Sequence, residues 1–356
     1  MAYPRLRHWL SGHTHHAMDK LAALDIEGAP GVLGADRAGT VWTWNLVTGE
    51  RRKCCLDLDA AGPEEQIPDL DGEIWDEYHD LQDPFADFGA DPGYTVSLLA
   101  TGHVNHKPVA VTGGGFRDLT AILGPEYGGG AVRVWDLETG RKIGKTLTGP
   151  STDIYSLATV RAEGCLLAIA LYEDELLAWN LTSGERMARF GVMAGRATAA
   201  TLSGRPVAVT VNGDAGLQLW DLLSGQMRSA IPAAAERGVT AIAITEVNDR
   251  AVALTASQAG CLSAWDLLTG ERTCPPMSGH ENAVRALAAA GVFAVTGAQD
   301  GTARVWDLAN GIQVGDALTV HRDEVWAAAI AEIDGRPVAV TGGLEGAVGI
   351  WELPTV

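Results

Sequence analysis

The sequence predicts an all-β protein built from a repeated, multi-stranded unit, and three observations carry that expectation. A Trp followed by Asp, Asn or Glu and then Leu occurs seven times. The residues before each Trp repeat a pattern of two short apolar strands around a tight turn. Glycine is abundant, at 43 residues, in a chain whose residues are 47% hydrophobic. That combination suits many short strands closing on a large core, and a closed array of this length forms one domain.

The seven copies are Trp44-Asn45-Leu46, Trp135-Asp136-Leu137, Trp179-Asn180-Leu181, Trp220-Asp221-Leu222, Trp265-Asp266-Leu267, Trp306-Asp307-Leu308 and Trp351-Glu352-Leu353. From the second copy onward they are 44, 41, 45, 41 and 45 residues apart, whereas the first gap of 91 is about one period too long. Six copies run into a Gly turn such as ETG, TSG or LTG. Upstream, GVFAVTGAQDGTARVWDL (291–308), RPVAVTVNGDAGLQLWDL (205–222) and RPVAVTGGLEGAVGIWEL (336–353) share one frame of strand, turn and strand. Three units place Thr ten residues and an acid six residues before the Trp: Thr296/Asp300/Trp306, Thr210/Asp214/Trp220 and Thr341/Glu345/Trp351. Gly-His opens units at Gly12-His13 and Gly279-His280.

These residues resemble the WD40 repeat family, over most of the chain. The resemblance implies a seven-bladed β-propeller in which each repeat is a four-stranded blade. It also implies a hydrogen-bonded tetrad of His, Ser/Thr, Asp and Trp, most complete here as His280, Thr296, Asp300 and Trp306. Ala38 and Ala259 stand where the turn acid belongs, and Gly149-Pro150 replaces Gly-His, so blades of uneven stability are expected. The expected single domain, 1–356, divides into blade 1 at about 17–56, an insertion at about 57–93, and blade 2 at about 94–148. Blades 3 to 6 fall at about 152–190, 194–231, 237–276 and 281–318. Blade 7 falls at about 322–353 and takes its outer strand from residues 5–10, closing the ring and removing an exposed edge. The recurring GRPVAVT looks like bacterial WD40 proteins of high-GC organisms. A stand-alone propeller of that kind implies an effector carried on another protein.

Charge bounds the partner. The net charge is −19, which argues against nucleic acid or an anionic membrane as the ligand of the bulk surface. Most of that acidity is local: residues 54–93 hold 13 acids and no Lys or Arg, leaving the rest at −6. The five cysteines (Cys54, Cys55, Cys165, Cys261 and Cys274) are odd in number and lack metal-ligand spacing, as in a reducing compartment. Neither a leader-like N-terminus nor a run of roughly 20 apolar residues is present, so a cytoplasmic location and a monomer are expected.

Chemistry-bearing motifs are absent. In GHTHH (12–16), His13 belongs to the blade, which leaves His15 and His16 as adjacent loop residues and a poor metal site. Gly113–Gly115 and Gly128–Gly130 lack the strand, GxGxxG and helix setting of a phosphate loop. Asp69-Leu70-Asp71-Gly72 starts like a calcium loop but misses the later ligands. No nucleophile elbow, HExxH or P-loop occurs, and the periodic Trp, Asp and His are structural. No catalytic residue, metal or cofactor is expected.

Function is expected where the repeat breaks. Insertions at 57–93 and 115–129 both emerge, by the resemblance, on the top face over adjacent blades. Within the first, Leu70, Ile74, Tyr78, Leu81, Phe85 and Phe88 form a helical apolar stripe beside Trp75. Asp71 suits an N-cap, Glu73, Asp76 and Glu77 suit the first turn, and Pro84 ends the segment, giving a helix over about 71–82. An amphipathic acidic flap follows, with Trp75, Asp76, Glu77, Tyr78, His79 and Asp80 as its working residues. The innermost strands begin V-x-A-L, and the residue after Val is expected at the channel mouth. These are Asp19 (blade 1), Val96 (blade 2), Tyr155 (blade 3), Thr240 (blade 5), Arg285 (blade 6) and Trp326 (blade 7), with no alignment for blade 4.

Two functions remain open on sequence. The first is a non-enzymatic scaffold binding a protein or peptide through Trp326, Arg285, Tyr155 and Asp19, the acidic flap favouring a basic partner. The second is a small-molecule binder or atypical biosynthetic enzyme whose pocket the flap closes, with Asp76, Glu77, His79 and Asp80 as acid/base or metal groups. A blander role for the insertions is to prop up degenerate blades.

Overall fold

A computed structural model describes residues 4–10, 17–26, 28–36, 40–54, 56, 96–114, 130–150, 154–192, 194–212, 216–231, 238–319 and 321–354. Both insertions, including the helix expected over 71–82, and His13, Ala38 and Asp214 lie outside the described residues. Among the described residues all regular structure is β, in seven four-stranded antiparallel sheets. No helix there is long and apolar enough to cross a membrane.

Each sheet is a blade whose strands follow one another outward from the centre. The innermost two strands join through tight turns with both central residues at positive φ: Asn105-His106, Glu163-Gly164, Ser203-Gly204, Asn248-Asp249 and Asp334-Gly335. Paired positive φ is the signature of the type I′ turn, whose twist matches that of the flanking strands. The turn after each Trp has a different device. Asn45, Asp136, Asn180, Asp221, Asp266 and Asp307 each accept the N–H groups two and three residues on, at 2.8–3.3 Å. The glycines that close these turns lie at φ between 67 and 76°, where a side chain would be strained. This is the physical content of the Trp-Asp-Leu-x-x-Gly run. Burial pushes the Asp136 carboxyl up. Bonds from the Thr139 N–H, Lys107 and the Glu138 N–H outweigh that and hold it below its ordinary value.

The core consists of seven apolar clusters, one at each contact between neighbouring blades. Every repeat Trp sits in the cluster shared with the preceding blade. Trp44 meets blade 7, Trp135 blade 1, Trp179 blade 2, Trp220 blade 3, Trp265 blade 4, Trp306 blade 5 and Trp351 blade 6. Its indole N–H meanwhile stays within its own blade. Trp135, Trp220, Trp265, Trp306 and Trp351 donate to Thr112, Thr210, Thr255, Thr296 and Thr341 at 2.8–3.1 Å. Blade 1 has Gly34 at the corresponding place. A Cβ there would lie 2.7 Å from the Trp44 ring, so only glycine admits the indole.

Two blades complete the network. His280 Nε2 lies 2.8 Å from Thr296 Oγ1, and its Nδ1 lies 2.9 Å from Asp300 Oδ2. The Asp300 carboxylate can only accept, which places the proton on Nδ1, and burial favours the neutral ring, so Nε2 accepts from the Thr296 hydroxyl. Blade 7 repeats this with His321, Thr341, Glu345 and Trp351, at 2.8 Å to Thr341 and 2.6 Å to Glu345. His321 follows Val320 and not glycine, which hides it from a Gly-His search. In blade 3, where Gly149-Pro150 replaces Gly-His, the buried Tyr172 ring lies so close to Gly149 that a Cβ would meet it at 2.1 Å. The Tyr172 hydroxyl donates to the Gly130 carbonyl at 3.1 Å.

The ring closes through the N-terminal strand Arg5–Leu10, which pairs antiparallel with Val348–Glu352 as the outermost strand of blade 7. Leu10 packs on the cluster between blades 7 and 1, and Trp9 stands edge-on to His321 at 5.0 Å. Deleting residues 1–10 uncovers that strand edge and removes those contacts. The expected loss is several kcal/mol, lowering the melting temperature by about 10 °C; an unchanged melting curve would show that closure contributes nothing.

The blade 6 tetrad gives stability a pH dependence. Burial lowers the His280 pKa below its ordinary 6.5, and against the same burial its hydrogen bonds hold Asp300 below 3.8. As pH falls below 6.5 the unfolded chain takes up a proton that the native His280 refuses, so this contribution is full above 6.5 and shrinks below it. Asp300 extends the loss below 3.8. Denaturant melts are expected to show stability falling from pH 7 to pH 5, with a shallower slope in His280→Gln.

Candidate functional site

The innermost strands surround a central channel, and one end of it is lined by all seven blades, blade 2 through Leu98 and Leu99. Asp19 and Lys20 come from blade 1, Tyr155 from blade 3, Arg196 from blade 4, Thr240 from blade 5, Arg285 from blade 6 and Trp326 from blade 7. They line an open cavity of about 290 Å³. In four blades the inward residue occupies a break in strand register. Asp19, Thr240, Arg285 and Trp326 stand where pairing shifts by one between Met18/Lys20, Val239/Ala241, Val284/Ala286 and Val325/Ala327. A bulge releases one residue from the ladder and turns its side chain, which is how four unrelated residues come to face the channel.

The sequence placed five of these residues at the channel mouth, and the sixth, Val96, requires correction. Val96 is buried against Leu33, Ala110 and Trp135 at the contact between blades 1 and 2. It matches the Val before the inward residue, so the V-x-A-L alignment there was displaced by one, and Ser97 is the exposed equivalent. Arg196 went unrecognised because blade 4 has no bulge. It stands nine residues before Arg205, whereas Trp326 stands ten before Arg336 in the same Arg-Pro frame. Counting back by the blade 7 spacing reaches Gly195, one residue before it. The flap residues Trp75, Asp76, Glu77, Tyr78, His79 and Asp80 lie outside the described residues.

The mouth is held by a short polar chain. Gln299 Nε2 donates to Glu324 at 3.2 and 3.4 Å, and the Trp326 indole N–H donates to Glu324 Oε2 at 2.7 Å. The Arg285 guanidinium then lies over the Trp326 ring, 5.3 Å from its centroid, a cation–π contact. Arg196 donates from Nε to the Thr240 carbonyl of the next blade and from Nη1 to the Gly195 carbonyl, both at 2.9 Å. Burial and then the nearby Arg285 charge pull the Arg196 pKa below its usual value. Tyr155 is 43% exposed. Among the described residues no His, Cys, Asp and Glu group has the arrangement of a metal site.

Seven four-stranded blades closed by the N-terminal strand, two of them carrying an indole–Thr–His–acid network, define a seven-bladed β-propeller. The comparisons agree with that class. Residues 272–307, spanning the outer turn of blade 5 and most of blade 6, match the family model described as WD domain, G-beta repeat. The whole chain is similar in fold to the WD40 beta propeller domain of Doa1. The two share 15% identity with a TM-score of 0.66, over 99% of this chain and 98% of that one. No curated protein matches the sequence.

Glu324 is the residue that orients the mouth without facing it. Glu324→Ala should cost about 1 kcal/mol and move the indole N–H resonance of Trp326 in a nitrogen-15 spectrum. An unmoved resonance would mean that packing alone holds the ring.

Proposed function

We propose that the protein is a non-enzymatic scaffold that binds a protein or peptide at the channel mouth, acting as a monomer in the cytoplasm. WD40-type propellers generally bind proteins or peptides, and the observation that carries the assignment to this face is the convergence of Trp326, Arg285 and Tyr155 around one opening. Aromatic and arginine side chains contribute most to binding energy when they stand together in a recess. The stacking of Arg285 on Trp326 supports pre-organisation: both side chains are ordered before a partner arrives, so less entropy is lost on binding.

The acidic segment 57–93 supplies a second element, a field favouring basic surface on the partner at some distance from the anchors. Such steering acts on association rate and weakens with ionic strength.

Affinity capture from a native extract, comparing wild type with Trp326→Ala and Arg285→Ala, tests the face. A loss of the captured partner by both variants, with retention by Leu268→Asp on a turn at the opposite end of blade 5, is the expected result. Equal recovery by all four proteins would remove the channel mouth from the binding surface.

A further inference from the structure

We propose that the channel mouth holds a carboxylate of the bound peptide, an Asp or Glu side chain placed between Arg196 and Arg285 beside Trp326 and Tyr155; this rests on the reading of the mouth as a peptide-binding face. The first support is a local reversal of charge. The chain carries −19, yet the charged residues lining the mouth are Lys20, Arg196 and Arg285 against a single acid, Asp19. Acids outnumber bases in the chain, 45 to 26, so this balance runs against the composition.

The second support is the state of the two guanidinium groups. Arg285 has a buried Nε without a hydrogen-bond partner, and it makes no ion pair among the described residues. The described residues therefore supply no acceptor to that atom and no counter-charge to the group. Its stacking on Trp326 fixes the plane of the guanidinium without neutralising it. Arg196 is bound only to carbonyls, which orient it and leave its charge uncompensated. Both groups line the same cavity, where burial first and then the Arg285 charge disfavour the charged form of Arg196. Glu324, which accepts from the Trp326 indole, is also engaged by the Gln299 amide. A carboxylate between the two arginines accepts from the guanidinium groups that line the cavity and offsets their repulsion in one step, through charge-assisted bonds that are the strong ones.

The same charges argue for a peptide over a polyanion. At long range the chain's net charge repels nucleic acid and anionic lipid. A single acid on a neutral or basic peptide meets the cations only at short range, inside the mouth. Tyr155, its ring exposed on the next blade round from Arg196, offers apolar surface for the residues flanking that acid.

The experiment uses the full chain labelled with nitrogen-15 and three blocked tripeptides, Ala-Glu-Ala, Ala-Gln-Ala and Ala-Lys-Ala, titrated while following the Trp326 indole and Arg285 Nε–H signals. The glutamate peptide is expected to move both signals and to bind at least about fivefold more tightly than its glutamine isostere. The lysine peptide should leave them in place. Arg196→Gln and Arg285→Gln, each first checked for an unchanged melting temperature, should weaken the glutamate peptide roughly tenfold. Equal binding of glutamate and glutamine, preference for lysine, or no movement by any of the three overturns the carboxylate. A phosphoserine peptide that displaces Ala-Glu-Ala at lower concentration reassigns the anion to a phosphate and overturns it as well. The peptide-binding reading fails separately, by undiminished partner capture with Trp326→Ala. A negative titration with capture still lost would therefore reject the carboxylate alone.

Discussion

The contact between each repeat Trp and the blade before it is the interaction on which the rest of the structure depends. A four-stranded blade is apolar on both faces and cannot bury either one alone. Placing one indole in every one of the seven interfaces lets the same residue serve two tasks. Its ring fills the space between blades, while in five blades its N–H is satisfied by a Thr of its own sheet. The polar atom is thus paired without leaving the core, which is what permits so large an aromatic to be buried. Because the interfaces form a closed cycle, none is dispensable, and the seam between blades 7 and 1 must be as good as the rest. The strand Arg5–Leu10 meets that need from the opposite end of the chain.

Closure frees the inner ends of the strands. Once the blades hold one another through their middle strands, the innermost strands need not be regular to the tip. Four of them break register within their first residues. The resulting opening is surrounded by residues of mixed type: an acid, a tyrosine, two arginines, a threonine and a tryptophan. Variation at these places leaves the interfaces untouched, so a fixed scaffold can carry a particular mouth. Threonines lower on the innermost strands tie blade to blade instead, as Thr101 to the Ala23 carbonyl at 2.8 Å and Thr159 to the Thr101 carbonyl at 2.6 Å.

Features repeated seven times were legible in the sequence, because each copy corroborates the others. The Trp series and the turns after it belong to that class, and the closing strand followed from the ring that they imply. Legibility fell where a residue departs from the period by one place or one neighbour. Val320 before His321 concealed a complete tetrad, the absence of a bulge shifted Arg196, and the start of blade 2 moved the inward position from Val96 to Ser97. A one-residue slip matters because successive strand residues face opposite sides. The insertion at 57–93 repeats nothing, so its helical stripe stands on its own pattern alone.

The sign of the charge at the mouth was the least legible feature, since Lys20, Arg196 and Arg285 are far apart in sequence and belong to a chain with net charge −19. Only the circular fold brings them together. The consequence is an electrostatic arrangement on two length scales. Beyond a Debye length, roughly 8 Å at physiological salt, an approaching partner meets a negative protein whose acids are concentrated in one segment. Inside that distance, at the opening itself, it meets cations held in fixed positions by backbone carbonyls and an indole face. A partner matched to both has basic surface around an acidic anchor, and neither a polyanion nor a uniformly basic chain satisfies the two fields together. Selectivity of this kind needs no deep pocket, because the wrong partner is rejected either on approach or at the last contact.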